Sequence, residues 1–214
     1  MAFFCGIDEA GRGPVLGPMV IAGVKISLRT QGILEGFGVN DSKKILPKRR
    51  EELFSLIKGT VEDYSVIKIS PAEIDKALST PGMNLNWLEA VTTIKILKNL
   101  DAKKAYIDCP TATASKYSDY LKNRLDGQIE LIVEHRADEN YIAAAAASIL
   151  AKVERDREIE ELRKLYGDIG SGYPSDPKTK AFIEKNLELD IFRRSWSTWQ
   201  NLNKKRSQQS LLRF

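Results

Sequence analysis

Two apolar segments near the start of the chain, Ala2–Ile7 and the β-branched-rich Met19–Leu28, are separated by a short stretch punctuated by Gly13-Pro14 and Gly17-Pro18. β-Branched residues suit a pleated, half-buried surface, while glycine and proline break regular structure. A connection this short joins antiparallel neighbours, because parallel strands need a long crossover. The pattern predicts a strand, a glycine-rich turn and a second strand. A hairpin at the start commits the sheet built on it to mixed character.

Helical and strand patterns alternate downstream. A polar loop follows Leu28. Pro47 opens a helix, KRREELFSLIK, that ends at Gly59; VEDYSVIKIS alternates as a strand; Pro71 starts a short helix through Leu78. Asn84 is placed to cap LNWLEAVTTIKILKNL, whose apolar positions recur at helical spacing. KKAYIDCP reads as a buried strand stopped by Pro110, Ser115–Leu125 as a helix, QIELIVEH as a strand, and Asp138–Leu165 as the longest helix. A turn-rich loop, GDIGSGYPSDPKT, leads to a helical stretch ending at Leu187, then a polar, basic tail. The expectation is an α/β fold: a mixed β-sheet flanked by helices over 1–165, a small helical C-terminal subdomain over 166–200, and a basic tail over 201–214.

The net charge of +4 is compatible with a polyanionic partner but too small to require one. Cys5 and Cys109 are too few for a disulfide framework and read as small buried strand residues. No stretch approaches the ~20 apolar residues of a membrane span, and the start lacks a basic leader with a long apolar run. A cytoplasmic monomer without membrane attachment is the expectation.

Four acids stand at informative places. Asp8 and Glu9 close the first apolar run, Asp108 ends AYID, and Asp138 opens the long helical pattern after LIVEH. In α/β sheets ligands gather beyond strand ends, so acids distant in sequence can converge there. Adjacent strand residues point to opposite faces, so Asp8 and Glu9 share a site only if the pleat breaks beside them; Ala-Gly-Arg-Gly would provide the break. Clustered carboxylates repel unless a cation lies between them, and oxygen donors without thiolate or imidazole suit Mg²⁺ or Mn²⁺. His135 is the single histidine, which leaves a His-rich zinc site or a Ser-His-Asp triad with little support. Taken alone, Asp138 reads equally well as a helix cap and Asp108 as a solvent-facing strand end.

Gly11-Arg12-Gly13 leaves main chain unshielded for close approach to a phosphate or sugar. Lys43, Lys44, Lys48, Arg49 and Arg50 cluster in DSKKILPKRR; Arg193 and Arg194 precede Trp196 and Trp199; Lys204, Lys205 and Arg206 lie in the tail. Basic residues interleaved with aromatics suit a nucleic-acid backbone, and each run alone also reads as a solvated face. Tyr173, in a glycine- and proline-rich loop, is an aromatic placed to stack on a sugar or base, or to fold against the body.

Together, GIDEAGRGPVLGPMVIAGV, the DSKK loop, IDCP, HRADENYIAAAAASILAKVERD and GSGYPSDPKT resemble the ribonuclease HII family, the archaeal members most closely. The resemblance spans residues 6 to 200 or so and implies a ribonuclease H-like fold. It implies an endonuclease that cuts the RNA of RNA–DNA hybrids and nicks 5′ of ribonucleotides embedded in duplex DNA, with roles in replication and repair. Asp8, Glu9, Asp108 and Asp138 match the family's metal-binding acids, which would hold two divalent ions, Mg²⁺ or Mn²⁺. Asp8 would bridge the pair, Asp138 would serve the nucleophile side, and Glu9 and Asp108 the leaving-group side. Gly11, Arg12 and Gly13 match the segment that recognises the 2′-OH at an RNA–DNA junction, and Tyr173 matches the tyrosine that helps read it. Lys43, Ser148 and Lys152 match polar residues near substrate phosphates. In QQSLLRF, Gln208, Leu211 and Phe214 are spaced as in the sliding-clamp-binding motif of replication proteins, here with one terminal aromatic rather than two. A silent nucleic-acid-binding or clamp-associated module, and a metal-dependent phosphotransfer enzyme on small substrates, are the competing readings. Metal-dependent nicking of a duplex holding one ribonucleotide supports the nuclease, binding of it without cutting the silent module, and hydrolysis of a small phosphate ester with indifference to RNA the phosphotransfer enzyme.

Overall fold

The computed structural model describes residues 2–39, 45–101, 103–125 and 129–211. The expected hairpin forms from β1 (Phe3–Ala10) and β2 (Met19–Ser27), antiparallel and in continuous register from Phe3 opposite Ser27 to Ala10 opposite Val20. β4 (Lys104–Asp108) runs parallel to β1, and β5 (Glu130–Glu134) runs parallel to β4. With β3 (Asp63–Ile69) on the other edge, the order is β3-β2-β1-β4-β5, a five-stranded mixed sheet.

The helices follow their local signals with instructive exceptions. The expected polar loop after Leu28 is instead helix α1 (Leu28–Gly36), whose first turn is capped by the Ser27 hydroxyl accepting from Thr30 N. α2 (Pro47–Thr60) and α3 (Pro71–Leu78) begin at their prolines, where the missing N–H costs nothing; Ser70 and Glu73 close a capping box on α3. α4 (Leu85–Leu100) and α5 (Ala114–Lys122) follow. The single helix expected from Asp138 is two: α6 (Ala137–Asn140), then extended Tyr141, then α7 (Ile142–Tyr166). α8 (Pro177–Lys185) is capped by Asp176, and the basic tail runs as far as Leu211 within helix α9 (Ser197–Leu211).

The backbone gathers into two compact units, each assembled from separate chain segments. The first comprises Met1–Ala10, Val20–Lys68 and Leu85–Glu154. Its core sets Val20, Ala22, Val24 and Ile26 of β2 against Leu34 of α1, Leu53, Phe54 and Ile57 of α2, and the alanine face of α7. That face meets β1 at Gly6, where a Cβ would collide with the backbone of Ala143 and Ala144. The alanine run and the glycine are two halves of one contact, with helix backbone lying directly on strand backbone. On the opposite face, Ile96 and Leu100 of α4 pack over Gly23 beside Ile7.

The second unit comprises Gly11–Met19, Ile69–Asn84 and Arg155–Phe214. Its core is Val15, Leu16, Ile159, Ile169, Ile183, Leu187 and Phe192, with Trp196, Trp199 and Leu202 packed alongside. The glycine-rich turn between the hairpin strands thus belongs to this second unit.

Candidate active site

In the first unit, Asp8 and Glu9 lie inside the paired strand, not at a break in it. The regular register continues through Ala10, so the break at Gly11 comes too late to bring them together. Phe4, Ala10 and Gly6 face α7, and Asp8 shares their parity; Glu9 shares the parity of Cys5 and Ile7 on the other face. What unites them is the end of the neighbouring strand. β1 pairs with β4 only as far as Ile7 opposite Ile107, and Pro110 prevents β4 from continuing. In that parallel register Asp108, the last residue of β4, stands level with Asp8, and the Asp8 and Glu9 carboxylates meet it where the ladder ends. Ligand oxygens of Asp8, Glu9 and Asp108 all lie within 4.8 Å of one another. The Asp8 carboxylate is turned along the strand by the Glu9 amide, which donates to Oδ1 at 2.7 Å.

Asp138 is not in that trio, but its charge acts on Asp8. It is buried in α6, whose cap Arg136 adopts the left-handed region at φ 60°. That turn aims the first amide of α6, Ala137 N, at Asp108 Oδ1 at 2.9 Å. Asp138 therefore lies in the first turn of a separate short helix set by this bend, and the N-cap position of that helix is Arg136. Ser148, on α7, is fully buried and bonds Asp8. Its oxygen accepts from Lys152 Nζ at 2.7 Å, which leaves the hydroxyl proton for the carboxylate. A polar chain thus runs Lys152 to Ser148 to Asp8.

Burial pushes the Asp8 carboxyl up to about 7; the Ser148 bond opposes this, the Asp108 charge adds to it, Lys152 opposes it and Asp138 adds again. A carboxylate buried among acids, with one hydroxyl and one ammonium in partial compensation, is short of positive charge. The trio is made of hard oxygen donors alone, the set that Mg²⁺ and Mn²⁺ prefer. The residues fit a divalent cation held by Asp8, Glu9 and Asp108.

In the second unit, Gly11 takes φ 80°, and a Cβ there would meet Arg155 Cδ at 2.7 Å and Pro18 O at 2.8 Å. Only glycine fits. Val15 N donates to Gly172 O at 2.8 Å, tying this turn to the GSGYPSD loop. Asp176 organises that loop by accepting from Ser171 N and Lys178 N, and these bonds hold its carboxyl down at about 2. The result sets Tyr173, 45% exposed, with its ring beside Gly13. Arg193, read from sequence as part of a basic rim, is instead fully buried beneath the turn. A basic residue beside aromatics looks the same whether it faces phosphate or carbonyl oxygen, so the sequence carried no signal for this role. Trp199 likewise serves the fold, donating to Leu187 O at 3.2 Å.

A family model described as Ribonuclease HII matches residues 5–199. The chain belongs to the ribonuclease HII family. It is 46% identical over 207 residues to ribonuclease HII of Thermococcus onnurineus, covering 94% of this chain and 89% of that one. Among solved structures, ribonuclease H2 from Pyrococcus horikoshii superposes with a TM-score of 0.87 at 39% identity, covering 95% of this chain and 98% of that one. The ribonuclease HII in a PCNA:RNase HII complex from Archaeoglobus fulgidus superposes at 0.83 with 38% identity, covering 91% and 95%. Family and fold expectations are borne out: this ribonuclease HII chain is a hydrolase of the ribonuclease H class with a mixed sheet flanked by helices. Of the remaining expected residues, Gln208 is exposed on α9 and Leu211 closes that helix, while Lys43 and Phe214 lie outside the described residues. No helix among the described residues is long and apolar enough to cross a membrane.

Proposed function

We propose that the protein is an endoribonuclease that hydrolyses the RNA strand of RNA–DNA hybrids and nicks 5′ of ribonucleotides embedded in duplex DNA, leaving 5′-phosphate and 3′-hydroxyl ends. The observation that carries this reading is the meeting of the Asp8, Glu9 and Asp108 oxygens within 4.8 Å at the end of β4, in a chain of this family. Asp8, Glu9, Asp108 and Asp138 hold two divalent ions. When bound, such ions supply an activated water and charge neutralisation at the leaving oxygen. The chain's own groups prepare the site. Ser148 and Lys152 steady Asp8 as an anion, and the Ala137 amide fixes one Asp108 oxygen. No protein nucleophile is required.

Gly11, Arg12 and Gly13, which follow Glu9 closely in the chain, contact the ribose 2′-OH, the group that separates RNA from DNA. Tyr173 packs its ring on the sugar or base at the junction. Lys43 contacts the substrate backbone. Removal of misincorporated ribonucleotides and of RNA primers in replication and repair is the role this activity serves. The deciding experiment is Mg²⁺- or Mn²⁺-dependent nicking of a DNA duplex containing one ribonucleotide, with Asp8→Asn inactive. Cutting that persists in Asp8→Asn, or binding of the duplex without any cutting by the native chain, rejects the reading.

The tail is the second part of the proposal: Gln208, Leu211 and Phe214 engage a sliding clamp. Support comes from the relative solved in a PCNA complex and from the exposure of Gln208 on α9. Deleting residues 208–214 should abolish co-elution with a clamp while nicking of free duplex persists. Retained co-elution rejects it.

A further inference from the structure

The carbonyl oxygens of the Gly11–Arg12–Gly13 turn are all engaged from below by two side chains. Arg193 Nη2 donates to Gly11 O at 2.6 Å, Nη1 to Arg12 O at 2.9 Å, and Nε to Gly17 O at 3.1 Å. Trp196 Nε1 donates to Gly13 O at 3.1 Å, and the Arg193 guanidinium lies over the Trp196 ring at 4.9 Å from its centroid. Arg193 is itself locked by its own amide, which donates to Val15 O at 2.8 Å. Its guanidinium has the rigid fork that can grip successive carbonyls at once, which a lysine cannot reproduce.

A trans peptide is planar, and its C=O and N–H point in opposite directions. Holding Gly11 O and Arg12 O against Arg193 therefore turns the amides of Arg12 and Gly13 to the other side of the turn. The third peptide loses nothing by this arrangement, because residue 14 is proline and has no N–H. A buried positive charge behind the carbonyls also polarises these peptides and strengthens their amides as donors.

We propose that Arg193, with Trp196, is a positioning residue for substrate discrimination: it sets the turn so that the Arg12 and Gly13 amides meet the oxygen acceptors of the ribonucleotide. This rests on the ribonuclease reading above. A single embedded ribonucleotide offers one register in which those amides can be satisfied. A continuous RNA strand offers many and tolerates a loosened turn.

The test uses the full-length chain carrying Arg193→Lys or the milder Trp196→Phe, on a duplex with one ribonucleotide and on a continuous RNA–DNA hybrid. Loss of one hydrogen bond's worth of orientation lowers kcat/KM at the single ribonucleotide by on the order of tenfold. After correction for folded fraction, cutting of the hybrid falls far less. Equal losses on both substrates overturn the proposal, since a merely structural arginine acts only through folded fraction. A second readout is independent of cutting. In an Asp8→Asn background, the Arg12 and Gly13 amide resonances shift on adding the ribonucleotide duplex, and Arg193→Lys suppresses those shifts. Identical shifts with and without Arg193 overturn the proposal. A native chain that cuts neither duplex rejects the ribonuclease reading instead, and the amide shifts then decide this one.

Discussion

Asp8→Asn should make the metal-free protein more stable while destroying its activity. The Asp8 carboxyl rises from 3.8 to about 7 in the fold, mainly through burial. An acid raised in this way binds its proton more tightly when folded than when unfolded. Its contribution is intact below pH 3.8, is lost as pH rises towards 7, and is level above that. At about 1.4 kcal/mol per pH unit, that interval amounts to about 4 kcal/mol of destabilisation at pH 8. Local relaxation and water penetration around a buried charge relieve part of it, leaving about 2–4 kcal/mol. An asparagine keeps the shape and can still meet the Ser148 hydroxyl, but carries no charge. For a chain of this size the gain corresponds to a Tm rise of about 4–16 °C at pH 8, shrinking to nearly nothing at pH 4. Thermal denaturation in chelator across pH 4–8 measures it. Added Mg²⁺ or Mn²⁺ should raise Tm in the native chain and leave Asp8→Asn nearly unmoved, since a ligand stabilises only the state that binds it. A native protein whose Tm tracks that of Asp8→Asn at every pH would refute the account of Asp8 as a carboxylate made costly by its surroundings.

Other substitutions probe the scaffold and the turn. Gly6→Ala places a methyl against the Ala143 backbone and should cost at least about 2 kcal/mol, read as a lower urea midpoint with unchanged m; an unaltered midpoint would mean that β1 and α7 are not in backbone contact. Gly11→Ala meets both the φ 80° backbone and Arg155, so nicking at one ribonucleotide should drop by more than tenfold, and wild-type rates would show that the turn has another conformation. Metal affinity should climb with pH until about 7 and then level, because binding must displace the Asp8 proton; calorimetry in buffers of different ionisation enthalpy would report the released proton, and a pH-independent affinity would contradict it.

Much of this molecule was legible in local chemistry. Proline placed the first turns of α2 and α3, Pro110 ended β4, and the short Gly-Pro connection enforced an antiparallel hairpin. Each of these is a constraint on one residue's own backbone, so neighbours in sequence suffice to read it. The acids could be nominated for a similar reason, since a charge at the end of an apolar run is conspicuous wherever the chain goes. How Asp8 and Glu9 come together was decided elsewhere: their carboxylates meet at the end of β4, a strand about a hundred residues downstream whose last residue is Asp108. The role of Arg193 also depended on contacts far along the chain, because only folding carries it beneath Gly11. So did the meaning of the alanine run, which reads as helix propensity until Gly6 is found against it. Turns and element ends are governed by torsions of a few bonds, whereas charge compensation and close packing depend on which distant atoms share the same few ångströms.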